Sequence, residues 1–334
     1  MYMRPAEWFT MTQQEYLHTF IRNGGAAVKF LIPTEDINHN GLKQGLRSIA
    51  EAERYQFVSV DAATTRVHMV DHLFHEIARQ IDWDALSFAF VSQLLTEHGF
   101  TLPTQRYDFT LQRLAELNQR DVRLLQQELL ALPEKRLLQD YQMCQEFRLA
   151  MIRLCQSHFG ANSLNPVPAE VIKEWLCGQL RRLAELKPAL IFQKVARDNA
   201  RYLLSSLSHW LHLAGKSGLV LGLDISRCLV QRPRAKEQQD ESRYYTAAMT
   251  LDAYEVLRQW IDATDDLEFC FIAVIAPPAF LHPDDRRGVY SYDALRMRIW
   301  DEIRDRQRIN PFSTLIRLSP CPESTGISSQ ESMR

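Results

Sequence analysis

Long apolar runs are missing from this 334-residue chain. None reaches the roughly 18–20 residues that span a bilayer. The opening Met1-Tyr2-Met3-Arg4-Pro5-Ala6-Glu7-Trp8 lacks the apolar stretch of a signal peptide. A cytoplasmic location with no membrane partner is the expectation. Charge excess is missing too: 39 Lys and Arg stand against 41 Asp and Glu, a net charge of −2. That balance removes any global attraction to nucleic acid or anionic lipid, although a local basic face remains open. The six cysteines, Cys144, Cys155, Cys177, Cys228, Cys270 and Cys321, form no C-x-x-C pair. Free thiols in a reducing compartment are expected, not disulfides or zinc. The string H-E-x-x-H, a nucleophile elbow and a Ser-His-Asp order are all absent.

The most telling absence lies after the first apolar strand. Ala26 to Ile32 reads as a buried strand, and it runs through Pro33-Thr34-Glu35-Asp36-Ile37-Asn38-His39-Asn40 to Gly41 and a helix. A phosphate loop belongs at such a strand–turn–helix junction. It needs glycines so that backbone N–H groups can wrap phosphate, a lysine to neutralise it, and a hydroxyl for Mg²⁺. Between Ile32 and Gly41 there is neither glycine nor lysine, while Glu35 and Asp36 would repel a triphosphate.

What is present is an ordinary globular composition, 46% apolar and 24% charged, enough for a real core. Residues 5–23 have helical spacing and stop at Asn23-Gly24-Gly25. After the Ala26–Ile32 strand come a helix over 41–55, a strand over 56–60 ending at Asp61, and a helix over 67–81. That alternation argues for a parallel sheet sandwiched by helices. From about 84 to 187 the pattern is helical throughout, with breaks expected at 99–103, at Pro133 and at 160–168. We read this as a helical insertion. The alternation then resumes: a helix from about Pro188 to Leu213, a continuous apolar strand from Leu219 to Asp224, and a helix over 250–263. A strand over 269–275, a helix over 292–306 and a last strand over 312–318 complete it. A mobile loop is expected over 231–243 and a disordered tail after Ser319. The domain reading is thus 1–83 and 188–319 as two parts of one α/β body, 84–187 as the insertion, and 320–334 as the tail.

The strand ending in Asp224 has the form of a Walker B element, whose acid holds Mg²⁺ through water. Ile225 follows where a hydrolysing enzyme usually has Glu. The residues left to touch a nucleotide are Thr34, Asn40, Gly41, Lys43 and Asp224. Under the alternative of an active NTPase using ATP and Mg²⁺, Lys29, Lys43 or Lys216 would serve phosphate. Gly215-Lys216-Ser217-Gly218 contains G-K-S but precedes a strand, so a turn is expected. His68, His72 and His75 share one helix face and read as a polar face, not as a metal site. His209 and His212 read as partly buried neighbours of the turn that follows. Arg286, Arg287, Arg296 and Arg298 are interleaved with acids. They read as an ion-paired face or, functionally, as arginines offered to a neighbouring subunit. Arg113, Arg120, Arg123, Arg181 and Arg182 would carry any DNA contact.

Several segments together resemble the ATP-binding proteins of bacterial bacteriophage-exclusion (BREX-type) systems, an AAA-type family. They are residues 23–31, residues 58–60 with the 67–81 helix, Leu257 to Asp262, and Arg287 to Arg296. The resemblance implies a P-loop NTPase fold and an antiphage role beside a helicase, nuclease, methyltransferase or active ATPase subunit, in a homo- or hetero-oligomer. This chain departs from the pattern at the phosphate loop, where Pro33 to Asn40 replace the glycine-rich string, and at Walker B, reduced to Asp224. A non-catalytic scaffold or regulatory subunit without cofactor or metal is the expectation. A DNA-binding accessory module remains a further alternative.

Overall fold

A computed structural model describes residues 2–160, 167–230, 243–300, 310 and 312–320. Five strands form one all-parallel sheet in the order β2-β3-β4-β1-β5. They are β1 (Ala26–Pro33), β2 (Gln56–Asp61), β3 (Leu219–Asp224), β4 (Cys270–Ile275) and β5 (Leu315–Leu318). Side chains alternate between two buried faces, which is why β3 and β4 read as unbroken apolar runs. Ala27, Leu31, Val220, Phe271 and Ile275 point to one face. Val28, Phe30, Ile32, Leu221, Leu223, Ile272 and Val274 point to the other.

The first face is covered by α1 (Pro5–Met11), the π-helical turn Thr12–Phe20 and α2 (His39–Ala52). Trp8, Leu17, Leu42 and Leu46 supply the apolar contact. The second face carries everything else. After β2 come α3 (Val70–Arg79), α4 (Trp83–Glu97), α5 (Leu111–Asn118), α6 (Val122–Leu137), α7 (Gln145–Ser157), α8 (Ala169–Leu176) and α9 (Ala200–Leu213). A short α10 (Ser226–Leu229), α11 (Ala247–Asp262) and α12 (Asp293–Ile299) follow β3 and β4. The buried residues of α4 to α9 join the apolar cluster of the sheet face itself, so the helical stretch shares one continuous core with the strands.

Three boundaries differ from expectation. The chain stays helical through Pro133, near the end of α6. The proline removes the backbone donor that would have bonded the Leu129 carbonyl. Buried Leu129, Leu130, Leu132 and Leu137, and Asp121 capping the N-terminus, hold the helix. The expected 188–213 helix begins only at Ala200. Pro188 ends up in a 3₁₀ turn over Leu183–Ala189, which Leu190 closes in the left-handed region. The last strand starts at Leu315 because the carbonyls of Phe312 and Ser313 are turned towards the Lys29 ammonium. The expected 231–243 loop, the end of the 292–306 helix and the tail after Ser319 fall wholly or largely outside the described residues.

Chain direction decides where a site can form. The helix after β1 covers one face, while the chain leaving its neighbour β4 covers the other. In an open parallel sheet, that divergence leaves a crevice at the carboxyl ends of the strands.

Candidate functional site at the carboxyl edge

The loop from β1 to α2 is short. The Ile37 amide donates to the Thr34 carbonyl (3.0 Å), and the Asn38 side chain accepts from the Asn40 amide (2.9 Å) to cap α2. His39 therefore opens the helix, and Lys43 lies one turn further in. No residue from Thr34 to Gly41 has positive φ. A phosphate-wrapping nest needs left-handed residues to turn successive N–H groups inward, so this backbone has no such nest.

Strands β2 and β3 end in register, Asp61 beside Asp224. Two carboxylates on neighbouring strands repel unless a cation lies between them. Lys43 supplies it. Its ammonium donates to Asp61 Oδ2 at 2.9 Å and lies 3.0 Å from Asp224 Oδ2. His39 Nδ1 stands 3.2 Å from the same Asp224 oxygen. The other oxygen, Oδ1, accepts from the Ser226 hydroxyl (2.6 Å) and amide (3.0 Å). Asp61 Oδ1 accepts from the Ala63 amide at 2.8 Å.

Burial makes these contacts count. The Asp224 side chain is 7% exposed, Lys43 15% and Asp61 40%. Burial pushes the Asp224 carboxyl up, but hydrogen bonds from His39 and Ser226 and the Lys43 charge outweigh it. They hold Asp224 well below the usual carboxylate range. Burial pulls the Lys43 ammonium down, and the Asp61 hydrogen bond and the Asp224 charge lift it above its ordinary value. At neutral pH the cluster is a closed ion-pair network.

Of the residues expected at a nucleotide site, the structure brings Lys43 and Asp224 together and leaves the rest apart. Asn40 is exposed, and Gly41 is exposed with open space around its α-carbon. Thr34 lies on another part of the edge, its amide held by the Leu318 carbonyl. Lys29 lies on β1 before the carboxyl end, buried, with Phe312 and Ser313 carbonyls and the Tyr16 ring around its ammonium. Lys216 sits in a turn at the opposite edge. There Ser217 donates its amide to the Arg54 carbonyl and its hydroxyl to that of Glu53. Neither lysine lies at the carboxyl ends of the strands, so of the three lysines named for that alternative only Lys43 stands there. Gly218 in the same turn has φ +137°, and a Cβ there would sit 2.1 Å from the Phe269 carbonyl oxygen.

The arginine candidates have intramolecular partners. Arg287 donates to the carbonyls of Cys228, Val230 and Tyr245, at 3.2, 3.3 and 2.6 Å. Arg298 pairs with Asp262, and Arg296 with Asp293 at 2.9 Å. Arg286 and Arg298 are exposed, and Arg286 alone of the four has neither an ion pair nor a side-chain hydrogen bond among the described residues. His75 Nδ1 contacts the Leu176 carbonyl at 3.0 Å, and His68 meets the Tyr245 ring edge-on. Burial lowers the pKa of His68, His72 and His75. Among the described residues no group of three or more His, Cys, Asp or Glu could hold a metal ion. His39, Asp61 and Ser226 escaped the sequence reading. The signal for Asp61 was there, in two strands of a parallel sheet that both end in Asp.

A triphosphate with Mg²⁺ fits this edge poorly. The loop lacks the nest, Glu35 and Asp36 are exposed beside it, and an ammonium already occupies the space between the two carboxylates.

Comparison with known proteins places the chain. The model of the BREX system ATP-binding protein BrxC/D family matches residues 109–325, more than half of the chain. The match takes in most of the helical stretch, β3 with Asp224, β4 and β5, and the segments at 257–262 and 287–296. It begins after β1, the atypical loop and β2. The earlier resemblance over 23–31 and 58–81 therefore lies outside it. No curated protein and no solved structure matches significantly. Among the described residues no helix is long and apolar enough to cross a membrane. On the extent of that match, the chain belongs to the family of BREX system ATP-binding proteins BrxC/D.

Proposed function

We propose that this chain is a non-catalytic, ATPase-like subunit of a bacterial antiphage defence complex, working as a scaffold or regulator through contacts with other subunits. Family membership supports the defence setting and the presence of partner subunits. The observation that carries the non-catalytic part is the Lys43 ammonium, held between Asp61 and Asp224 at 2.9 and 3.0 Å behind a loop without a phosphate nest. The lysine that could meet phosphate neutralises acids instead. The acid that could hold Mg²⁺ is occupied by protein donors. A micromolar nucleotide site amounts to about 8 kcal/mol of binding. Charge-assisted hydrogen bonds to phosphate supply roughly 1.5–3 kcal/mol each, so losing a loop of them removes most of that total.

Titration calorimetry of the whole chain with ATP and Mg²⁺ tests the reading. No heat of binding up to millimolar nucleotide is the expected result, and low-micromolar binding with phosphate release overturns it. Co-purification with the other subunits of the same defence system is the positive counterpart. It should survive a Lys43→Met change that opens the ion-pair network.

One observation favours a second reading, an active NTPase with an unorthodox loop. Lys43 and Asp224 meet at the edge where nucleotides bind in such sheets. For that reading Asp224→Asn must abolish any turnover measured in the wild type.

A further inference from the structure

The carboxyl edge carries a second hollow, on the face of the sheet away from α2. Strand register assembles it. Ile32 of β1 pairs with Arg317 of β5, and Thr34 follows two residues after Ile32 on the same side. The N-terminal segment crosses the end of β5, where the Met3 amide donates to the Arg317 carbonyl at 2.9 Å, and so brings Tyr2 to the rim. The turn after β4 contributes Pro278 and His282. The result is a cavity of about 190 Å³.

Its lining is polarised in chemistry. Ile32, Pro278 and their neighbours give an apolar floor. Arg317 brings a permanent positive charge, His282 an imidazole and Tyr2 a phenol, and among the described lining residues none is acidic. Arg317 and Lys43 thus differ sharply. Lys43 is matched by two carboxylates, whereas no described carboxylate lies within ion-pairing distance of Arg317. The Thr34 hydroxyl adds an independent sign. Its oxygen is buried and has no hydrogen-bond partner among the described residues. An unmade hydrogen bond on a buried hydroxyl is costly, and an acceptor supplied from outside would satisfy it.

We propose that this cavity binds a small organic anion, with the carboxylate or phosphate head on Arg317 and Thr34 and an apolar body on the Ile32 and Pro278 floor. Size limits the class. An engineered cavity of about 150 Å³ takes up benzene, so a hollow of this volume accepts a body of benzoate size. Arg317 contributes the planar fork that suits a carboxylate or phosphate. Thr34 donates its otherwise unpaired proton to the same head group. The inference is independent of whether the neighbouring Lys43 cluster handles nucleotide.

Fluorine NMR of the full chain with 4-fluorobenzoate as probe tests it, with 4-fluorobenzyl alcohol as the neutral isostere and inorganic phosphate as competitor. The expected result is saturable binding of the benzoate, at least tenfold weaker binding of the alcohol, and displacement by phosphate at higher concentration. Arg317→Gln should weaken the benzoate at least tenfold and Thr34→Val two- to fivefold, both with unchanged circular dichroism. Equal binding of the neutral alcohol, no saturable binding, or full affinity in Arg317→Gln overturns the proposal. Should Arg317→Gln fail to fold, the anion-against-alcohol comparison on the wild-type chain decides alone.

Discussion

The two ends of the sheet carry lysines whose sequence contexts point the wrong way. At the amino edge, Gly215-Lys216-Ser217-Gly218 spells a fragment of a phosphate-binding string, yet its groups brace a turn against Glu53 and Arg54. At the carboxyl edge, Lys43 stands in no motif, yet it joins the Asp residues that end β2 and β3. The difference lies in what surrounds each ammonium. Parallel strands bring their terminal side chains together at one end, and an adjoining helix can insert a cation there. A tight turn offers mostly its own backbone. Chemistry follows position in the fold before it follows the local string.

The largest expected effect breaks that comparison directly. Lys43→Met leaves the nearly buried Asp224 facing Asp61 without compensation and should lower stability by roughly 3 kcal/mol. Lys216→Met should stay within about 0.5 kcal/mol, as surface changes do. Denaturant midpoints followed by circular dichroism at pH 7 measure both, and equal losses would erase the distinction between the edges.

Next comes the pH dependence of the carboxyl edge. The folded-state pKa of Asp224 is depressed, so its stabilising contribution is complete above the ordinary carboxylate range, around pH 4. It is lost as pH falls through the folded value. Lys43 is raised, so its contribution is complete below about pH 10.5 and fades only at higher pH. The contribution of this pair is therefore flat between about pH 5 and 10, on top of a separate loss below about pH 6.5 from the histidines whose pKa burial lowers. Asp224→Asn should remove on the order of 2 kcal/mol in that range and make the acid limb shallower. An unchanged acid limb in the variant would place the acid sensitivity elsewhere.

A smaller pair sharpens the contrast between an anchored arginine and an exposed one. Arg287→Ala should cost about 2 kcal/mol, because three carbonyls lose a charged donor. Arg286→Ala should cost almost nothing, and any loss of subunit co-purification confined to Arg286→Ala would identify it as an interface residue.

The smallest effect has the opposite sign. Gly41 lies in α2 with ordinary helical backbone and open space around it, so Gly41→Ala should stabilise by about 0.5–1 kcal/mol. A measured loss instead would mean that this position needs a bare backbone, as a phosphate site does.

Much of the fold was legible in the residues. The runs Ala26 to Ile32, Leu219 to Asp224 and Phe269 to Ile275 are apolar on both sides because both faces of the sheet are covered. Strand and length could therefore be read together. Boundaries went wrong where the cause lay elsewhere in space. Burial of α6 leucines outweighs one proline, and a lysine on β1 claims the carbonyls that would have lengthened β5. The site was half legible. The missing phosphate loop and the acid at the end of β3 can be read directly. The pairing of Lys43 with Asp61 and Asp224 cannot, because Asp61 and Asp224 are far apart along the chain and meet only through sheet register.

Order along the chain thus settled the fold class and the absence of a phosphate-wrapping loop, since both rest on local backbone freedom and apolar periodicity. Strand order and register decided which charges neutralise one another and which, like Arg317, face a cavity instead. Interactions between charges depend on distance in space, and only the folded sheet sets that distance.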